Sequence, residues 1–338
     1  MIPPVHGESP TEVLKVWLYA AASVLLGAWV SPLVYNAGKA LAEVSSVKQT
    51  NGPLQWLAGI CQATDFPKFF EICLLGAAAL LFLPFMHWLQ AGGQTVEGRH
   101  SPDRLRGWNS GQRLHGNPRG ARQAATGFLL VTLVFLGIAG ILALAGVFTW
   151  KHPAGSVAMI VLRGFAGALG LAVFQELLFR GIAQGIFLRA MRPLAAIGLT
   201  ALLFALVHCL NPPPGMNVPD PDASAVGFEL LHKIATRFSD PLVVLGTFLP
   251  LFALGSVLAY ARWRTASLLL PIGLHTGWIF INSVVSNLTV ATIHSNSNLK
   301  ILSDATLQQG LIPLAGILIA GLLTNHLTSP GATADAAA

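Results

Sequence analysis

The chain has 338 residues, of which 54% are hydrophobic and only 10% charged, against about 25% charged in ordinary soluble domains. That leaves too little polar surface for a soluble fold, so length here counts membrane crossings rather than globular domains. A formal net charge of +6 invites a nucleic-acid reading. The basic residues, however, fall in short segments between apolar runs, without the dense patch that duplex binding requires, and no nucleic-acid partner is expected.

A helix needs about 20 mostly apolar residues to cross the hydrocarbon core. Eight segments qualify, roughly 14–35, 69–89, 125–149, 156–187, 193–210, 240–261, 266–288 and 308–325. They predict an all-α fold, a polytopic transmembrane helical bundle of about eight spans. The first run has the length of a signal-peptide core, but it continues past Pro32 to Tyr35 without a small-x-small cleavage site and reads as a retained helix. Residues 91–123, rich in Gly, Asn and Arg, read as a surface loop with an interfacial turn over 105–108. A second loop, 211–239, opens on Pro212, Pro213 and Pro214 and holds a short amphipathic helix near 228–238. The tail after Pro330 is Ala-rich and reads as disordered. The expected organisation is therefore 1–123, two spans and a basic cytoplasmic loop; 124–326, a membrane core; and 327–338, a tail.

Taking the loops alternately, Lys15, the six arginines from Arg99 to Arg122, Arg189, Arg192, Arg262 and Arg264 fall on one side, eleven in all; Lys39, Lys48, Lys68, Lys151, Lys233, Arg237 and Lys300 make seven on the other. The positive-inside rule then puts both termini in the cytoplasm, and the cell membrane is the expected location. Trp17, Trp88, Trp150 and Trp263 stand at span ends, as interfacial anchors do. Cys61, Cys73 and Cys209 lack metal-type spacing and cannot all pair within one chain, so they read as small apolar residues.

Ionisable groups in hydrocarbon cost several kcal/mol unless paired or hydrated, and each one inside a span is a functional candidate. They cluster here. The fourth span carries Phe174-Gln175-Glu176-Leu177-Leu178-Phe179-Arg180-Gly181, with Glu176 and Arg180 four residues apart on one helix face, where they neutralise each other. The fifth ends in Phe204-Ala205-Leu206-Val207-His208, and the seventh carries His275 after Pro271. At about 1.5 Å per residue, Glu176 and His208 both lie about 21 to 23 Å from the turn near Ala190, and His275 lies about 15 Å from its own turn near Ala266. Tilt, or a kink at Pro271, absorbs the difference. A carboxylate and an imidazole can share and deprotonate a water while another imidazole donates to an oxyanion, which makes hydrolysis in a protected cavity the expected chemistry. No cofactor is expected. Zinc is the alternative, since Glu with two His is a catalytic ligand set, but the ligands come from three helices and no His-Glu-x-x-His run exists.

Gln175-Glu176-x-x-x-Arg180, Phe204-x-x-x-His208 and His275, spread in this order over three membrane helices, resemble the CPBP intramembrane protease family, also called the Abi or type II CAAX prenyl endopeptidase family. The resemblance covers about residues 155–285, within the 124–326 core, and Phe179-Arg180-Gly181 is similar to the usual ending of the family's first motif. It implies a membrane-embedded peptidase acting on membrane-associated peptides or proteins in the lipid bilayer. Glu176 and Arg180 would brace the site, His208 would hold water and His275 would serve the oxyanion. Two positions depart from the pattern. The family's first Glu is Gln175, whose amide cannot act as a general base, and its Asn or Asp four residues after the last His is Ile279. Asn282 lies on the face of His275 but about 10.5 Å further along the axis. With Gln175 and Phe204 it is assigned to substrate binding rather than to the missing group. A divergent peptidase is the leading expectation. A non-catalytic membrane scaffold or binding protein is the second, and a proton-coupled transporter lined by Arg163, Glu176, Arg180, His208 and His275 the third. No internal repeat supports the last.

Overall fold

The computed structural model describes residues 10–48, 52–91, 117–152, 155–213, 216–291 and 307–329. Six of its helices are long and apolar enough to cross a membrane: Thr11–Lys48, Phe66–Leu89, Gly120–Leu144, Val157–Ala190, Pro241–Thr265 and Leu269–Leu288. Pro193–His208 and Leu311–Leu327 are shorter apolar helices of 16 and 17 residues. All eight expected segments are thus helical, and the chain is an all-α, multi-pass integral membrane protein. The described residues fall into two compact units, 117–206 with 240–329, and 10–91 with 207–239. The interfacial turn over 105–108, most of the basic loop, Pro214 and the tail after Pro330 lie outside the described residues.

The second unit is built on α1 (Pro10–Lys48), α2 (Pro53–Ala63) and α3 (Phe66–Ala91). The expected end of the first span at Tyr35 is overturned, because α1 runs on to Lys48 through Pro32. A mid-helix proline leaves the carbonyl four residues earlier without its N–H. Here that carbonyl, Ala28 O, accepts from Ser31 Oγ at 3.0 Å, the local repair that lets a membrane helix keep a proline. The predicted amphipathic helix is Val226–Thr236. It packs Val226, Leu230 and Ile234 against Ala28, Phe66 and Phe70, and a Cβ on Gly227 would stand 1.9 Å from Ala28 O, so only glycine admits this approach. The short helix Pro53–Ala63 was not expected from the sequence; its 11 residues are too few for a span signal. Lys39 Nζ closes its C-terminal end by donating to the carbonyls of Cys61, Gln62 and Thr64 at 3.0, 3.0 and 2.8 Å, where the helix dipole favours a cation.

In the first unit, α4 (Gly120–Leu144) and α10 (Leu269–Leu288) lie against each other along glycines. A Cβ on Gly127 would meet Leu270 O at 2.7 Å, one on Gly273 would meet Ala124 O at 2.1 Å, and one on Gly277 would meet Phe128 O at 2.6 Å. Small residues four apart bring membrane helices this close because backbone contact replaces the hydrophobic drive that lipid removes. The last four residues assigned to the basic loop, Gly120–Gln123, already belong to α4. Beyond these helices, Phe148–Trp150 pairs antiparallel with Thr289–Ala291, a short ribbon inside what the sequence had suggested was all helix. Lys151 extends it, its N–H bonding Leu288 O at 3.0 Å and its Nζ bonding Ser286 O at 2.7 Å.

Three further segments frame the site. The long helix Val157–Ala190 consists of α5 (Val157–Glu176), a π-helical stretch Leu177–Ala183 and α6 (Gln184–Ala190). Next comes α7 (Pro193–His208). A second π-helical stretch, Val244–Phe248, leads into α9 (Leu249–Thr265), α8 being Val226–Thr236. Pro250 deprives Gly246 O of its partner, and the N–H of Gly310 supplies one at 2.7 Å. Pro271 stands in the first turn of α10, where an N–H has no intrahelical partner to lose, and the Ile272 N–H makes the first bond, to Leu268 O at 2.9 Å.

Candidate active site

Glu176 is the last residue of α5, and the helix widens at the next one. In a regular α-helix each four-residue step drifts about 40° around the axis; a π turn holds more residues and takes up that drift. Glu176, Arg180 and Gln184 are consequently all fully buried along one line of an otherwise apolar rod. Gln184, which the motif reading passed over, has a signal in the sequence: it repeats the four-residue spacing of Glu176 and Arg180. Its Nε2 donates to Ala259 O at 2.7 Å, and Arg180 Nη2 donates to Gly255 O at 3.0 Å. Two side chains four apart thus bind two α9 carbonyls four apart. Gly255 also lets α9 come close to α7, since a Cβ there would stand 3.0 Å from Ala201 Cα and 3.2 Å from Phe204 Cδ1.

The charged centre is compact. Arg180 Nη1 donates to Glu176 Oε1 at 2.9 Å, and His275 Nδ1 lies 2.7 Å from the same oxygen. Arg180, Glu176 and His275 are each fully buried. The depth arithmetic left Glu176 and His275 a few ångström apart along the membrane normal, and the π stretch shortens the path from Ala190 to Glu176 as well as aligning its side chains. Phe204 closes the cluster: the guanidinium carbon of Arg180 lies 4.5 Å from its ring centroid, and the His275 ring meets it edge-on at 5.6 Å. An arginine stacked on a desolvated aromatic face gains about 2 kcal/mol, which offsets part of the several kcal/mol that burying each ion costs.

The remaining expected residues divide. Gln175 is half-buried, with Oε1 itself buried and without a hydrogen-bond partner among the described residues. Asn282 is buried on α10 with neither end of its amide bonded among those residues. Thr132, Thr276 and Trp278 carry buried polar atoms in the same condition, as does Glu176 at Oε2. Buried polar atoms without protein partners are sites that water or ligand amides satisfy. Ile279 is half-buried and brings no donor. His208, half-buried at the end of α7, groups with the second unit, whereas Glu176, Arg180, His275, Gln175, Phe204 and Asn282 belong to the first. Among the described residues no group of three or more His, Cys, Asp or Glu side chains is arranged to hold a metal ion.

Residues 154–281 match the family model described as Type II CAAX prenyl endopeptidase Rce1-like. The matched segment runs from just before α5 to Ile281 on α10 and contains Glu176, Arg180, Phe204, His208 and His275. It is the family that the motifs resemble, and the recognition made from them holds over this segment. No curated protein and no solved structure matches the chain.

Proposed function

We propose that the chain is a divergent membrane endopeptidase that hydrolyses peptide bonds of membrane-associated peptides or proteins within or at the bilayer. The observation that carries this reading is the Glu176 carboxylate, held in the protein interior by Arg180 and His275 through one oxygen, with Oε2 buried and unbonded among the described residues. Buried charges in a membrane interior cost too much to persist without use, and the Rce1-like match spans the same helices. In this reading His275 works at the reacting bond, Arg180 holds Glu176 and Glu176 holds His275, and His208 keeps the water-holding role that the resemblance implies. Gln175, Phe204 and Asn282 bind the substrate backbone, and the termini face the cytoplasm of a cell-membrane protein. The chemistry is assigned to side chains alone, with no cofactor. Purified protein in bilayers, offered peptide pools, tests it: cleavage in the wild type that disappears in both Glu176→Ala and His208→Ala supports it.

A second reading rests on Gln175. An amide where the family has its first carboxylate favours a membrane scaffold that binds a peptide or partner helix without cutting it. A wild type that cleaves nothing while Gln175→Glu gains cleavage selects that reading.

A further inference from the structure

Gln175 leaves hydrolysis without the carboxylate that would take a proton from water, and the hydrogen bonds around Glu176 show what can replace it. Arg180 is a donor at every nitrogen, so Glu176 Oε1, 2.9 Å from Nη1, is an acceptor. A proton on that oxygen would point away from an acceptor and sit beside the guanidinium. The 2.7 Å contact between Oε1 and His275 Nδ1 is therefore donated by the ring. In the neutral imidazole one nitrogen carries the proton and the other a lone pair, and with the proton on Nδ1 the lone pair is on Nε2. A donor role at Nε2, as the resemblance implies for the oxyanion, would require a doubly protonated ring.

On the endopeptidase reading, we infer that His275 Nε2 is the proton acceptor standing in for the carboxylate missing at Gln175, with Glu176 and Arg180 as positioning residues. A carboxylate that fixes tautomer and ring orientation, and offsets the imidazolium as it forms, is what makes a histidine an effective base. Arg180 is tied to Gly255 O and covered by Phe204, which keeps Glu176 from turning away. The step balances. Nε2 takes a proton from water, the water oxygen bonds the scissile carbonyl carbon, and the carbonyl π pair moves to oxygen. On collapse the C–N bond breaks, its electron pair goes to nitrogen, and the Nε2 proton follows.

The test uses the full chain in nanodiscs, with histidine rings labelled with nitrogen-15 and the His275 signal identified by its loss in His275→Gln. At pH 8 the expected ring is protonated at Nδ1 and bare at Nε2. In the paired variant Glu176→Leu with Arg180→Met, which leaves neither buried charge unpartnered, the ring loses its acceptor and the Nε2–H form appears. An Nε2–H or doubly protonated ring in the wild type overturns the inference. The kinetic arm measures peptide cleavage in the same discs, where His275→Gln is expected to lower kcat about 10²- to 10⁴-fold with KM nearly unchanged. Undiminished cleavage in His275→Gln overturns the base assignment and leaves the endopeptidase reading standing. A wild type with the expected ring that cuts nothing overturns the endopeptidase reading and leaves Nε2 established as an acceptor.

Discussion

The two units spend their polar residues in different places. In the second unit charges sit at helix ends. Lys15 joins Glu12 at 3.0 Å and Trp88 O at 3.1 Å, and Lys39 closes α2. Its interior is aromatic and aliphatic, with Phe66, Phe70, Leu230 and Ile234 around Ala28. The first unit instead carries Glu176, Arg180, Gln184 and His275 fully buried along its helices. Charges at helix ends find free carbonyls and a helix dipole to meet, as Lys15 and Lys39 do, whereas charges buried at mid-helix must be matched group by group. The first pattern is what stability and topology need. The second costs stability, and all four of those buried groups lie within the segment that matches the Rce1-like model.

The largest expected effect tests that contrast directly. Arg180→Met leaves Glu176 buried without its ion partner and should cost about 3–5 kcal/mol, read as reduced resistance to denaturant in detergent. Adding Glu176→Leu should return most of that stability, because paired replacement of buried ions by apolar groups is often neutral. In the second unit, Glu12→Gln removes the ion partner of Lys15 but leaves it an amide oxygen and Trp88 O to donate to, and the expected loss is about 1 kcal/mol. If Arg180→Met costs no more than Glu12→Gln, the two units do not differ in the way described.

Next come the close backbone approaches, which both units use alike. Gly227→Ala in the second unit and Gly273→Ala in the first would force a Cβ to 1.9 and 2.1 Å from a carbonyl oxygen. Each should cost about 1–3 kcal/mol or more from overpacking. Gly76→Ala and Gly140→Ala have nothing within 4 Å of the added atom, and they should leave the unfolding midpoint where it is or raise it slightly. Equal losses at all four positions would mean that helix contacts in these units do not depend on glycine.

The sequence reveals these two patterns unequally. Apolar run length locates all eight helices, and the rarity of charge in such runs is enough to single out Glu176, Arg180 and His275. The end of α1 at Lys48 is hidden because the apolar run stops at Tyr35, and the turns beyond it, which carry Asn36, Lys39, Glu43 and Lys48, continue the helix without a span signal. The π stretch after Glu176 has no periodic signature of its own, so the alignment of Gln184 with the charged pair emerges only in three dimensions. The glycine seam of α4 and α10 is visible as Gly273-x-x-x-Gly277, but the partner it meets is not.

The smallest expected effect compares one lysine cap from each unit. Lys39 reaches three carbonyls at the end of α2 from a half-buried position, whereas Lys151 reaches the single carbonyl of Ser286 near the end of α10 from an exposed one. A net hydrogen bond contributes about 0.5–1.5 kcal/mol, and a cation at a helix C-terminus about 0.3–1 kcal/mol, less where salt and water screen it. Lys39→Met should therefore destabilise by about 1–2 kcal/mol and should increase amide exchange over the last turn of α2, because three carbonyls lose one shared donor. Lys151→Met should cost under about 0.5 kcal/mol, since the Phe148–Trp150 ribbon and the Lys151 N–H bond to Leu288 O remain. Raising salt should shrink the Lys151 effect first. If Lys151→Met proves the more damaging of the two, the ribbon end of the first unit depends on that cation, and end charges are not reserved for the second unit.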